Sequence, residues 1–147
     1  MRSPGTLLSA LTGLFLVRVV AQPAALVIDH PLLPRFESWQ SGLVPYSWLV
    51  AFQVVILAAM CVTAWKASTG RLIPSSRLGR KLLVVGGVYL GGTVLRLVLG
   101  LTTQIDSPFF ARPIPIFFHL VLASFLLVCG YYHTRAGLAG DPAGKAR

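Results

Sequence analysis

Four apolar stretches, each roughly 20 residues long, constrain this chain more than anything else in it. They run from Thr6 to Ile28, Val44 to Trp65, Leu82 to Thr103, and Pro113 to Tyr132. A helix rising 1.5 Å per residue needs about that length to cross ~30 Å of hydrocarbon. A strand would leave its backbone polar groups unpaired in lipid, so helix is the expected state of all four. The expected fold is all-α, a single four-helix transmembrane bundle over residues 1–133. The segment 134–147, Gly/Ala-rich and without an apolar period, reads as a flexible tail.

Composition supports the same class. Hydrophobic residues make up 55% of the chain and charged residues 12%, about half the usual share of a soluble domain. The mean hydropathy is +0.75. The net charge of +9 does not point to nucleic acid, because most cations flank the apolar stretches and no polar face interleaves them with aromatics. Cys61 and Cys129 each lie inside an apolar run, with no metal-ligand spacing around them.

The cations also set an expected orientation. The connection from Lys66 to Lys81 carries Lys66, Arg71, Arg77, Arg80 and Lys81 and no acid. Arg2 precedes the first span, and Arg135, Lys145 and Arg147 follow the last. The other two connections hold Asp29, Glu37 and Arg35, and Asp106 and Arg112. Both termini and the middle connection are therefore expected in the cytoplasm, with a bacterial cytoplasmic membrane as the location. Trp48 and Trp65 bracket the second span 17 residues apart, about 25 Å of helix. A rival reading takes Arg2 and the run from Leu7 to Val17 as a cleaved signal, which would leave three spans. Arg18 interrupts that run, and apolar residues resume through Ile28.

The two halves share a pattern. Arg18 aligns with Arg96 at an offset of 78. Asp29-His30-Pro31-Leu32-Leu33-Pro34-Arg35 aligns with Asp106-Ser107-Pro108-Phe109-Phe110-Ala111-Arg112 at an offset of 77. Pro45 and Cys61 align with Pro113 and Cys129 at an offset of 68. The expectation is two similar helical hairpins in parallel repeat. Convergence of membrane hairpins on such features by chance is the competing account.

Arg18 and Arg96 are the candidate functional residues with the strongest physical warrant, since a charge inside a span costs roughly 2.5–3.5 kcal/mol. By helical rise, Arg18, Gln22, Gln53, Arg96 and His119 fall at one depth, and Asp29 and Asp106 are placed to cap that layer. A network that fixes helix register would need the same residues, as would a site for an anion, a quinone or a lipid head group. Gly87 and Gly91 form a GxxxG pair, and Gly92 and Gly100 share a face with Arg96. All four glycines are expected to mark a close-packing seam, internal to the chain or against a partner.

Catalysis has little support. The four acids, Asp29, Glu37, Asp106 and Asp141, all lie outside the spans, and no nucleophile, nucleotide or zinc motif is present. His119 and His133 have a spacing similar to that of helices that ligate stacked haems in b-type cytochromes. Such a site needs a second helix with its own pair, and the remaining histidine, His30, lies in a connection. No metal or cofactor is expected. The partners expected are the lipid bilayer and a membrane protein or further copies of this chain. The leading functional expectation is a non-catalytic accessory or structural subunit that packs against a larger membrane complex, such as an energy-transducing one, or against copies of itself. The alternative is a small carrier or binder of an anionic, quinone or lipid-like ligand at the arginine layer.

Overall fold

A computed structural model describes residues 4–28, 35–39, 45–102 and 113–139. They form four long helices, α1 (Pro4–Val27), α2 (Tyr46–Ser68), α3 (Ser76–Thr102) and α4 (Pro113–Ala139), with one 3₁₀ turn over Phe36–Trp39. There is no strand among the described residues. All four helices are long and apolar enough to cross a membrane.

The helix ends follow local chemistry more than hydropathy. α3 begins six residues before the apolar run at Leu82, and so takes in Arg77, Arg80 and Lys81. Ser75 opens it: its Oγ accepts from the Leu78 N–H at 3.4 Å, as an N-cap does. α4 continues to Ala139, so the start of the expected tail is helical; residues 140–147 lie outside the described residues. α2 stops at Gly70, whose φ of 68° suits a residue without a Cβ. There the Arg71 N–H reaches back to the Lys66 carbonyl at 2.9 Å, closing the helix by a Schellman-type bond.

Packing arranges the helices in an open row, in the order α2, α1, α4, α3. α3 lies along α4, α1 along α2, and α1 against α4, whereas α2 and α3 share no packed interface. Neighbours alternate in direction. Ser9 meets Ser68, and Gly137 lies beside Ser76, both near the basic connection. Gln22 meets Gln53, and Tyr89 meets His119, toward the other end. The helical turn Phe36–Trp39 packs on α1 and α4 at that second end. The apolar core gathers around α4, where Val121, Phe125 and Cys129 face Leu8, Phe15 and Met60.

Small residues allow the close approach of α3 to α4. The buried residues of α3 are Gly79, Gly86, Thr93 and Gly100, one every seven positions. A Cβ on Gly130 would stand 2.9 Å from the Leu83 nitrogen and 3.0 Å from the Gly79 carbonyl. This corrects the expected seam. A Cβ added at Gly87, Gly91 or Gly92 would meet nothing within 4 Å, and of the four glycines expected at the seam only Gly100 is buried. The reason is geometric: a seven-residue step suits shallow antiparallel crossing, whereas GxxxG suits the steeper right-handed crossing.

The matched arginines sit differently in the two halves. Arg18 is buried between three elements, while Arg96 is half-buried. The aligned segments 29–34 and 106–112, with Asp29 and Asp106, lie outside the described residues.

Candidate functional site: a polar layer under the 3₁₀ turn

Phe15, Arg18 and Gln22 are buried on one face of α1. Arg18 is 6% exposed. Its Nη2 donates to the Trp39 carbonyl at 3.2 Å, and its guanidinium carbon stands 5.2 Å from the centre of the Phe118 ring. Trp39 stacks on the same ring, with centroids 6.3 Å apart and planes 24° from parallel. The turn thus exists to some purpose: Trp39 gives Arg18 a carbonyl acceptor and closes the layer with its indole. The other terminal guanidinium nitrogen, Nη1, is buried without a hydrogen-bond partner.

Gln22 is fully buried. Its Oε1 accepts from Gln53 Nε2 of α2 at 3.0 Å, which leaves the Gln22 Nε2 buried and unpartnered. The Tyr46 hydroxyl at the start of α2 is a third orphan, with Phe36 edge-on to its ring at 5.0 Å. An unmade bond of this kind costs about 1–3 kcal/mol, and more for a charged group.

α3 and α4 supply the other half. Tyr89 and Arg96 are seven residues apart on one face of α3, with Thr93 between them bonding back to the Tyr89 carbonyl at 2.8 Å. The Tyr89 hydroxyl is hydrogen-bonded to His119 Nδ1 of α4, and the two rings meet edge-on at 5.6 Å. Tyr89 and His119 thus tie α3 to α4 within the layer.

Four of the five residues read as one layer from sequence are therefore tied into it by direct contacts: Gln22 with Gln53, Arg18 beside Phe118, and His119 with Tyr89. Arg96 lies two turns from Tyr89 on the same face of α3 and is half-buried. Trp39, Tyr89 and Phe118 were not foreseen. Tyr89 carried a usable signal, a hydroxyl in mid-span one heptad before Arg96, which needs a partner when buried. Trp39 carried none, because nothing in a connection's sequence shows that it folds back onto two helices. His133 is not part of this layer; its Nδ1 accepts from the Ser75 N–H at 3.2 Å near the basic end.

Donors predominate in the layer. The Arg18 guanidinium and an unpaired amide N–H₂ are buried here, Arg96 is half-buried, and the described part of every span contains no carboxylate. Such a set suits a ligand that brings lone pairs: a carboxylate, a phosphate or a quinone carbonyl. No group of three or more His, Cys, Asp or Glu that could hold a metal occurs among the described residues. No protein-family model matches the chain, and neither curated proteins nor solved structures include a match to it.

Proposed function

We propose that this chain is a non-catalytic membrane protein that binds a lipophilic ligand with an anionic or carbonyl oxygen at the layer formed by Arg18, Gln22, Gln53, Tyr89, Arg96 and His119. The observation that carries the proposal is the pair of orphan donors, Arg18 Nη1 and Gln22 Nε2, on one face of α1. A merely structural network would be expected to satisfy its members, since a half-satisfied one is worse than an apolar core. An acceptor oxygen from a ligand would complete both. The test is extraction of small molecules from protein purified in mild detergent, wild type against Arg18→Met. The expected outcome is a stoichiometric quinone or anionic amphiphile on the wild type. Arg18→Met should lose it while remaining monodisperse and helical. An empty wild type, or a variant that keeps the molecule, overturns the proposal.

The accessory-subunit reading keeps one observation of its own. Gly87, Gly91 and Gly92 lie open on α3, beside exposed Val84, Val88 and Leu95. Small residues on a lipid-facing helix allow a second helix to approach closely. Under this reading Gly91→Leu releases a co-purifying membrane protein, or dissociates a homo-oligomer, with the monomer's own stability unchanged.

A further inference from the structure

At the end opposite the polar layer, the missing interface between α2 and α3 leaves a cleft of about 660 Å³. Ala59 and Met60 of α2 form one wall, Leu82 of α3 the other, and Phe125 and Cys129 of α4 the floor. Its size lies within the ~300–1,000 Å³ of small-molecule sites. Its chemistry is divided by depth: the interior is apolar, while Lys66 and Arg71 line it at the basic end.

The backbones of the two residues are tied together. Lys66 supplies the carbonyl, and Arg71 the N–H, of the bond that closes α2. The Arg71 guanidinium rests over the Trp65 ring at 5.2 Å, which restrains the side chain by cation–π attraction. Arg77, Arg80 and Lys81 stand exposed on the first turns of α3 at the same end. No acid occurs between residues 66 and 81 to compete for these charges.

We infer that this cleft is a binding site for one anionic phospholipid of the bilayer, with an acyl chain between α2 and α3 and the phosphate on Lys66 and Arg71. A largely apolar slot takes an acyl chain at little polar cost, since its polar lining groups Thr63 and His133 already hydrogen-bond to the Ala59 carbonyl and the Ser75 N–H. A basic pocket between spans selects anionic head groups by charge. The site is separate from the polar layer and does not depend on the ligand proposed there.

The test is native mass spectrometry of the full-length protein, offered dioleoyl phosphatidylglycerol or dioleoyl phosphatidylcholine in mild detergent. Wild type is expected to retain one phosphatidylglycerol with a preference of roughly thirtyfold, the scale for two cations near a membrane surface. Lys66→Gln with Arg71→Gln should bring that preference close to unity, and because both residues are exposed the fold should survive. Ala59→Trp should displace both lipids by filling the slot. A second readout uses Cys129 in a Cys61→Ser background, where phosphatidylglycerol, and not phosphatidylcholine, should slow labelling by N-ethylmaleimide. Equal retention of the two lipids by wild type overturns the inference. So does an undiminished preference in the double glutamine variant, or labelling of Cys129 that neither lipid alters.

Discussion

Arg18 carries two costs that a membrane helix ordinarily avoids, a charge within the span and a donor left without an acceptor. If that residue existed to hold the fold together, replacing it by an apolar side chain of similar length would weaken the protein. The opposite is expected, because the replacement relieves the span of a charge that costs roughly 2.5–3.5 kcal/mol to place there. With both proteins stripped of ligand, Arg18→Met should therefore show an unchanged or raised melting temperature in detergent. The Gln22–Gln53 bond can be weighed separately by a double-mutant cycle with leucine at each position. A coupling of about 0.6 kcal/mol, and at most ~1.7, is the range for hydrogen bonds between membrane helices. At this scale much was legible beforehand, because charged and amide side chains inside apolar runs are conspicuous and helical rise fixes their depth. What stayed hidden was which neighbours they meet, since Trp39 reaches the layer only through the path of a connection.

Each helix pair depends on a few positions where a side chain has no room. A leucine at Gly79 or Gly130 would enter the α3–α4 contact, where backbone already meets backbone. Overpacking typically costs 1–3 kcal/mol, and Gly79→Leu is expected at about the upper end of that range. Gly87→Leu should leave thermal unfolding of the monomer unchanged, because its Cβ points to open space. Comparing the two melting curves checks both statements. The sequence indicated the existence and approximate length of all four helices, because long apolar runs admit no other element in lipid. It did not show which small residues α4 covers. The GxxxG pair is the familiar pattern, but the stripe that α4 covers has a seven-residue step and includes a threonine.

Taken as a whole, the molecule is a row of four helices with two free flanks, and its two candidate sites lie at opposite ends. The polar layer is closed over by Trp39, while the cleft stays open because its walls belong to helices that share no packed interface. Cysteine pairs in a background lacking Cys61 and Cys129 can test that layout. Ser9→Cys with Ser68→Cys should cross-link readily, since the two hydroxyls stand 3.4 Å apart. Ala59→Cys with Leu82→Cys, on facing walls of the cleft, should not, because a disulfide needs Cα atoms within about 7 Å. Rapid bridging of the second pair would mean that α2 and α3 close on each other. Helix order was not readable from the sequence, for apolar faces on membrane helices suit lipid and protein alike.

The stripe from Gly79 to Gly100 has one more consequence. A straight helix would rotate about 20° with every seven residues, roughly 60° over the three steps of the stripe. For all four positions to stay buried, α3 and α4 must wind left-handedly around each other, like two strands of a rope. Register is then shared along the whole length of the winding. A single alanine inserted after Val88 would turn everything beyond it by about 100°, carrying Tyr89 away from His119 while Gly79 remained seated on Gly130. The polar layer is in this sense aligned from the far end of the molecule, by glycines that touch none of its residues.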